Sequence, residues 1–576
     1  MKVFQKFCAC ALFLFLIYIV SCSSRVELYE GPPADLVIKN AKIITIDKEN
    51  PRAEAIAMTG EFIVGIGSDE YIDQFIEEGK TEVIDAKGRL IVPGFNDAHC
   101  HFGGIDLDYV DLRYITDPNI ITQRVKEKVA QSQPGELISG GRWDHELFPG
   151  AKLPTKELLD PVSPDNPVVL RRVDGHSVLV NSYVIKQSGI TRETPDPPGG
   201  EIVRDPVTGE PTGVFKEAAR RLLNTRGVPV RRTPEEQEER LMQSWQAAFD
   251  MAAEYGVTSV QLPPGGNFEM YQRFMDMGKL TLRAYIGGGL TADESRLKQY
   301  VEREKQYPKE GNWIRFGYLK GFIDGTLSST TALLFEPFSD EPDKSGLPQM
   351  SYEELEHRVV AADKMGFQIG IHAIGDKGNH WVLNAYEKAR EVNGMRDSRH
   401  RIEHASILRL DDIPRFAELG VIASTQAVFV RTDNLYAEKR LGYERCKGVY
   451  PWRRLLEAGA HVAFGTDYAV EPIDPREGLY AGVTRKNRKG MPVGGWFPDQ
   501  CLTMEETIEL YTLGSAYAEF MEDRKGMLKA GYLADMVMFN NDLIPLSGIP
   551  HEEIMKSLVD YTIVGGKVVY HRDGAH

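Results

Sequence analysis

The sequence predicts an α/β chain: a (β/α)8, TIM-like barrel, with a small discontinuous β-sandwich built from both chain ends and an inserted cap subdomain. Three observations predict it. Short apolar runs recur along the chain, each with a candidate ligand at or near its downstream end: His99 and His101, Lys320, His372, His404 and Asp467. Helical patterns separate the runs, as at 352–365 and 381–392 around His372, and strands alternating with helices imply parallel βαβ units. β-rich runs bounded by turn signals stand at both ends of the chain.

At the N-terminus, Lys2 and Lys6 precede an apolar run over 7–20, too short to favour a transmembrane span and laid out like a secretory signal. It ends in Ile19-Val-Ser-Cys22, which resembles a bacterial lipobox, where cleavage before Cys22 leaves that cysteine acylated. The expectation is a signal peptide at 1–21, a linker at 22–34 and a lipid-anchored lipoprotein of the bacterial cell envelope, periplasmic or surface-facing. An ordinary signal peptide cut nearby is the other reading. Of six cysteines, Cys8 and Cys10 leave with the signal and Cys22 is lipidated, so Cys100, Cys446 and Cys501 form no disulfide framework. A formal charge of −16 disfavours a broad electrostatic footprint for nucleic acid, and 42% hydrophobic residues in 576 suffice for a large core.

Leu36-Val-Ile-Lys39, Lys42-Ile-Ile-Thr-Ile46 and Glu61-Phe-Ile-Val-Gly65 read as short strands, broken at Asn40-Ala41 and Thr59-Gly60. Matching runs return at Asp535-Met-Val-Met-Phe539, Tyr561-Thr-Ile-Val564 and Lys567-Val-Val-Tyr570, the last two joined by the hairpin signal Gly565-Gly566. One sandwich over 35–93 and 526–573 is the compact solution, with the barrel over 94–525. In Arg89-Leu-Ile-Val-Pro-Gly-Phe-Asn-Asp-Ala-His-Cys-His101 an apolar stretch turns polar after Pro93-Gly94. If this is a strand, His99 and His101 share a face and converge at its carboxyl end, while Cys100 points away as a packed thiol. The next plausible barrel strand, at 256–262, lies roughly 150 residues on, far more than a βα unit needs, so 104–235 holds an inserted subdomain. Leaving from the carboxyl end of the first strand, it should cap the pocket mouth.

Four more runs follow: Ile314-Arg-Phe-Gly-Tyr-Leu-Lys320, Phe367-Gln-Ile-Gly-Ile-His372, Arg401-Ile-Glu-His404 and His461-Val-Ala-Phe-Gly-Thr-Asp467. In a closed barrel all carboxyl ends open onto one face, so six ligand-type residues can meet in one pocket. Imidazole and carboxylate suit zinc, manganese or iron, and three protein ligands plus an open position mark a catalytic site.

The order His-x-His, Lys, His, His, Asp, with Pro93-Gly-Phe-Asn-Asp97, resembles the amidohydrolase superfamily of metal-dependent hydrolases. Within it, Gly141-Arg-Trp-Asp-His145, Asp174-Gly-His-Ser-Val-Leu-Val-Asn181, Pro211-Thr-Gly-Val-Phe-Lys-Glu217 and Lys320-Gly-Phe-Ile-Asp-Gly325 resemble the branch of the YtcJ-like proteins and N-substituted formamide deformylases. The resemblance runs from about Ala34 to Val569. It implies one or two divalent ions, zinc first among them, with His99, His101 and Asp467 on one and His372 and His404 on a second. A lysine ammonium has no lone pair, but a buried lysine with a depressed pKa can react with carbon dioxide, so Lys320 is expected as a carboxylated bridge; an ordinary ion-paired lysine is the other reading.

Asp467 is the expected catalytic proton shuttle, the other reading being a carboxylate that only caps a turn. Asp97 is expected to support the two histidines, and Asp324 to stand behind the site or face substrate. Trp143, His145, Asp174 and His176 in the cap are candidate substrate contacts. The implied function is a metal-dependent amidohydrolase, a hydrolase of carbon–nitrogen bonds other than peptide bonds, attacking an N-substituted amide or formamide with a metal-activated hydroxide. Alternatives are hydrolysis of a cyclic amide or lactone, a non-hydrolytic reaction on the same platform, or a ligand-binding surface lipoprotein without turnover. Expected partners are a small-molecule amide and, through the N-terminal lipid, a membrane; no nucleic acid is expected and a homo-oligomer stays open.

Overall fold

The computed structural model describes residues 29, 31–173, 177–197, 200–228, 233–543 and 551–572. The signal peptide, Cys22, most of the linker to 34, Asp174 and His176 lie outside the described residues. Among those described, no helix is long and apolar enough to cross a membrane.

Eight strands form one sheet in chain order: β1 (Phe95–Asp97), β2 (Val257–Leu262), β3 (Arg283–Gly289), β4 (Ile314–Phe322), β5 (Ile369–Ala373), β6 (Arg401–His404), β7 (Ile422–Thr425) and β8 (Val462–Phe464). Every neighbouring pair is parallel. The last strand meets the first where the Ala98 N–H donates to the Phe464 carbonyl at 3.0 Å. Strands covered on both faces read as apolar runs rather than alternating ones, and β2 is buried at all six positions. The helix Pro234–Glu254 ahead of β2 starts at a capping box between Thr233 and Glu236 and buries Trp245, Ala248, Phe249 and Ala252 along one stripe. Around β5, helix Tyr352–Lys364 matches the pattern at 352–365 to within one residue and helix Asp376–Asn393 contains the one at 381–392.

Strands Leu36–Lys39, Ala55–Thr59, Phe62–Gly67 and Glu82–Asp85 make a four-stranded sheet. Lys42–Ile44, Arg52–Ala53, Leu90–Pro93, Met536–Phe539, Val559–Val564 and Lys567–His571 make a six-stranded one. Leu36, Ile56 and Met58 from the first sheet and Ile43, Ile91, Met536 and Ile563 from the second share one core. Both chain ends meet because Met536–Phe539 runs antiparallel to Leu90–Pro93, the strand that leads straight into β1. Gly565 and Gly566, at φ of 55° and 71°, supply the left-handed pair that a two-residue hairpin demands.

Between β1 and β2 the chain builds a third sheet, ordered Gly200–Arg204, Pro211–Glu217, Ser177–Val180, Val168–Arg172, Ile138–Trp143, Val110–Asp111, with cores of its own. Just past Val110–Asp111, the Tyr114 hydroxyl donates to Glu471 in the loop after β8 at 2.5 Å, and Arg488, beyond the helix Pro475–Thr484 that follows, lies over the Tyr114 ring at 3.9 Å. One expectation needs correction here. Trp143 is fully buried in the core of this sheet with its indole N–H on the Leu170 carbonyl at 2.9 Å, so it supports the cap and offers no face to a substrate. His145 opens a short 3-10 turn, His145–Leu147.

Candidate metal centre

β1 ends at Asp97, so His99 and His101 stand beyond the strand and not on it as expected. They still converge, because the chain after Asp97 remains bonded to the segment after β8. The Asp467 N–H donates to the His99 carbonyl at 2.7 Å. Asp97 accepts the His99 N–H at 3.1 Å, the Thr466 N–H at 3.0 Å and the Thr466 hydroxyl. Asp97 was expected to hold the imidazoles; it holds the backbone that carries them. The close approach requires Gly465, where a Cβ would stand 2.6 Å from the His99 nitrogen and 2.7 Å from Asp97 Oδ1.

The ligand atoms of His99, His101 and Asp467 lie within 4.8 Å of one another. Asp467 Oδ1 is 3.3 Å from His101 Nε2 and 3.8 Å from His99 Nε2, and Lys320 Nζ is 3.4 Å from His99 Nε2. The His404 ring stands 5.1 Å from that of His99 and 4.5 Å from that of His372. All six expected residues therefore gather at the carboxyl end of the barrel. Strand alternation alone would turn His404 away from the side that Arg401 and Glu403 face, but a left-handed φ of 77° at His404 brings its ring round to the others. Asp467 has a left-handed φ of 56°, and such conformations cluster at functional sites.

Burial, reinforced by the Lys320 ammonium, pulls His99 down to about 4 and His372 to about 3. Burial and the His372 ring hold His404 well below the usual range. All three buried imidazoles are neutral near pH 7 and keep a lone pair. Partners fix which nitrogen carries it. Glu403 takes the His99 Nδ1 proton at 2.7 Å, the Gln426 side-chain carbonyl the His404 Nδ1 proton at 2.7 Å, and the Gly325 carbonyl the His372 Nε2 proton at 3.1 Å. Burial likewise pulls Lys320 down to about 8, against the opposing pull of Glu403 and Asp467.

This donor set fits a divalent cation. Asp467 Oδ1 is buried with no hydrogen-bond partner, and it stands 3.8 Å from His99 Nε2, whose ring proton is held on Nδ1 by Glu403. A cation satisfies such a group. The His101 side chain, 50% exposed, opens the cluster to solvent on one side.

Residues 82–570 match the amidohydrolase family. The chain belongs to that family. It is 34% identical to the protein LONG AFTER FAR-RED 3 of Arabidopsis thaliana, over 94% of this chain and 92% of that one. It is 32% identical to the putative amidohydrolase YtcJ of Bacillus subtilis, over 92% and 98%, and 28% identical to the N-substituted formamide deformylase of Arthrobacter pascens, over 94% and 99%. The crystal structure of an uncharacterized metal-dependent hydrolase from Pyrococcus furiosus superposes with a TM-score of 0.65 at 27% identity, over 88% of this chain and 99% of that one. These likenesses place the amidohydrolase in the YtcJ-like branch of the metal-dependent hydrolases.

Around the amidohydrolase centre, Asp324 accepts the backbone N–H groups of Leu333, Ile374 and Gly375 at 2.8–3.0 Å, and its Oδ1 lies 3.5 Å from His372 Nε2. It therefore shapes the loops behind His372; burial pushes it up to about 7 against those three donors. Cys100 is buried, and burial pushes its thiol well up, as a packed side chain would be. Three residues that touch the cluster escaped the sequence reading: Glu403, Gln426 and Tyr318, whose hydroxyl is 3.2 Å from His99 Nδ1. Spacing held a signal for two of them. Tyr318 is two residues before Lys320, and Glu403 two after Arg401, so each pair shares a strand face.

Proposed function

We propose that this amidohydrolase hydrolyses the C–N bond of an N-substituted amide or formamide. In this reading His99, His101 and Asp467 would hold one divalent ion and His372 and His404 a second, with Lys320, once carboxylated, supplying oxygen ligands to them. The observation that carries it is the buried, unpartnered Asp467 Oδ1 beside two imidazole Nε2 atoms. Similarity to the Arthrobacter pascens protein named N-substituted formamide deformylase supports the substrate class.

A bound divalent ion supplies Lewis acidity, which lowers the pKa of water and polarises a carbonyl. Asp467 takes a proton from the attacking water as its oxygen bonds to the carbonyl carbon, and delivers a proton to nitrogen as the C–N bond breaks. An amide nitrogen leaves poorly unless protonated, so this transfer is needed more than it would be for an ester. Lys320, with its pKa pulled down to about 8, has a reactive neutral fraction near neutrality. The neutral amine nitrogen would bond to the carbon of carbon dioxide and release one proton to solvent, so that replacing the ammonium by an anion with two oxygens releases two protons in all. The reading also places the protein in the cell envelope, anchored through Cys22.

A metal-loaded soluble form starting after Cys22, with metal content measured, should be screened against N-formyl amides, N-acyl amides and cyclic amides. Turnover of the first two that disappears on chelation is expected. Turnover of cyclic substrates alone, or failure to retain metal, would overturn the reading.

A further inference from the structure

We infer that Glu403 is the positioning residue of the metal centre, fixing His99 as its anchoring ligand by holding the Nδ1 proton so that Nε2 faces Lys320 and Asp467. The inference rests on the metal reading above but concerns a residue outside the expected ligand set. Glu403 is fully buried on β6, and its Oε2 receives His99 Nδ1 at 2.7 Å and the Ser424 hydroxyl at 2.8 Å. Arg401, two residues earlier on the same strand face, donates Nε to Oε1 at 2.7 Å and Nη2 to Oε2 at 3.1 Å. Arg401 is itself fixed by the Ala98 carbonyl at 2.6 Å and by Gln261, and its guanidinium lies over the Tyr318 ring at 4.3 Å.

The carboxylate therefore cannot swing away from the imidazole. The fold makes room for it: a Cβ on Gly370 of the neighbouring β5 would stand 2.7 Å from Glu403 Oε1 and 2.6 Å from the Tyr318 ring. Both Glu403 oxygens face the Arg401 guanidinium fork, the geometry that pairs a carboxylate.

The other two buried imidazoles lean on neutral carbonyls, of Gln426 and Gly325. Among the three, His99 alone has a ring nitrogen hydrogen-bonded to a carboxylate, at 2.7 Å from Glu403 against 3.5 Å between His372 Nε2 and Asp324 Oδ1. A carboxylate on the far nitrogen fixes the tautomer and raises the basicity of the ligating one, and loss of such a partner costs about 10–100-fold in metal affinity.

The test compares wild type, Glu403→Gln and Ser424→Ala as metal-loaded full-length proteins, by chelator competition and by the absorption spectrum of the cobalt-substituted forms. Glu403→Gln should weaken the ion on His99 about 10–100-fold and shift the cobalt spectrum. Ser424→Ala, which keeps the Arg401–Glu403 pair, should weaken the same ion less. A merely structural carboxylate would lower thermal stability and leave both readouts on the folded protein unchanged, which would overturn the inference. If Glu403→Gln does not fold, a crystal structure of the metal-loaded wild type decides: His99 coordinating through Nε2 with Nδ1 on Glu403 supports it, and coordination through Nδ1, or by Glu403 itself, overturns it. A wild type that binds no metal defeats the metal reading of the site; a wild type that binds metal beside an equally tight Glu403→Gln defeats this inference alone.

Discussion

Lys320 stands 3.4 Å from His99 Nε2, and in the proposed reading an ammonium at that point would oppose a bound cation. The proposed carboxylation would remove that conflict, and it needs the neutral amine. Since burial pulls Lys320 from 10.5 down to about 8, the neutral fraction grows as pH rises through that value and shrinks below it. Metal uptake by the apoprotein should therefore be stimulated by added bicarbonate, more strongly at pH 8 than at pH 6. Lys320→Arg should lose activity and gain nothing from bicarbonate, because a guanidinium stays cationic. Equal reconstitution with and without bicarbonate at both pH values would remove the carbamate. Asp467→Asn keeps the shape and loses the base; at matched metal occupancy kcat should fall at least about 10²–10⁴-fold, and an unchanged kcat would take Asp467 out of the proton path.

At the level of elements, the site is made where β1 and β8 end side by side, and Asp97 is the clasp between them. Gly465→Ala would drive a methyl group to 2.6 Å from the His99 nitrogen. Such overpacking costs about 1–3 kcal/mol, so the variant should melt earlier and retain less metal, both read on the purified protein. An unchanged melting point would mean that the strand ends separate easily. The sequence makes the ligand-bearing strands legible, because a metal site marks their ends: β4, β5 and β6 fall on their apolar runs. β3 and β7 carry no such mark, and a short buried run such as Ile422–Thr425 looks like any apolar segment. Asp467 lies three residues past β8 and His404 leaves the strand alternation, so their convergence depends on two left-handed backbone positions that no periodicity shows. Trp143 illustrates the opposite failure. A motif suggested a substrate contact, whereas an indole N–H that finds a buried carbonyl partner is ordinary core packing.

Across the whole molecule, the N-terminal motif and the barrel make separate claims. Cys22→Ala should abolish incorporation of labelled palmitate and leave the protein soluble or unprocessed; unchanged labelling with unchanged membrane partition would end the lipoprotein reading. The folded part has its own long-range connection. Arg283, at the amino end of β3, forks onto Asp535 with Nε to Oδ2 at 2.7 Å and Nη2 to Oδ1 at 2.9 Å, both side chains buried. Asp535 also accepts the Gly565 N–H at 2.9 Å, and the adjoining strand Met536–Phe539 pairs with Leu90–Pro93. One ion pair thus joins the barrel to the sheet in which the two chain ends meet. Removing one partner of a buried pair leaves the other charge uncompensated, a loss of about 3–5 kcal/mol. Arg283→Met, which keeps the apolar bulk of the stem, should therefore shift the denaturation midpoint strongly. Because β1 follows directly from Leu90–Pro93, barrel and sandwich should unfold in one transition, followed by intrinsic fluorescence and by far-ultraviolet dichroism. Two separated transitions in the wild type, or an Arg283→Met midpoint within error of it, would show that the sandwich is an independent appendage and that the buried pair does not couple it to the barrel.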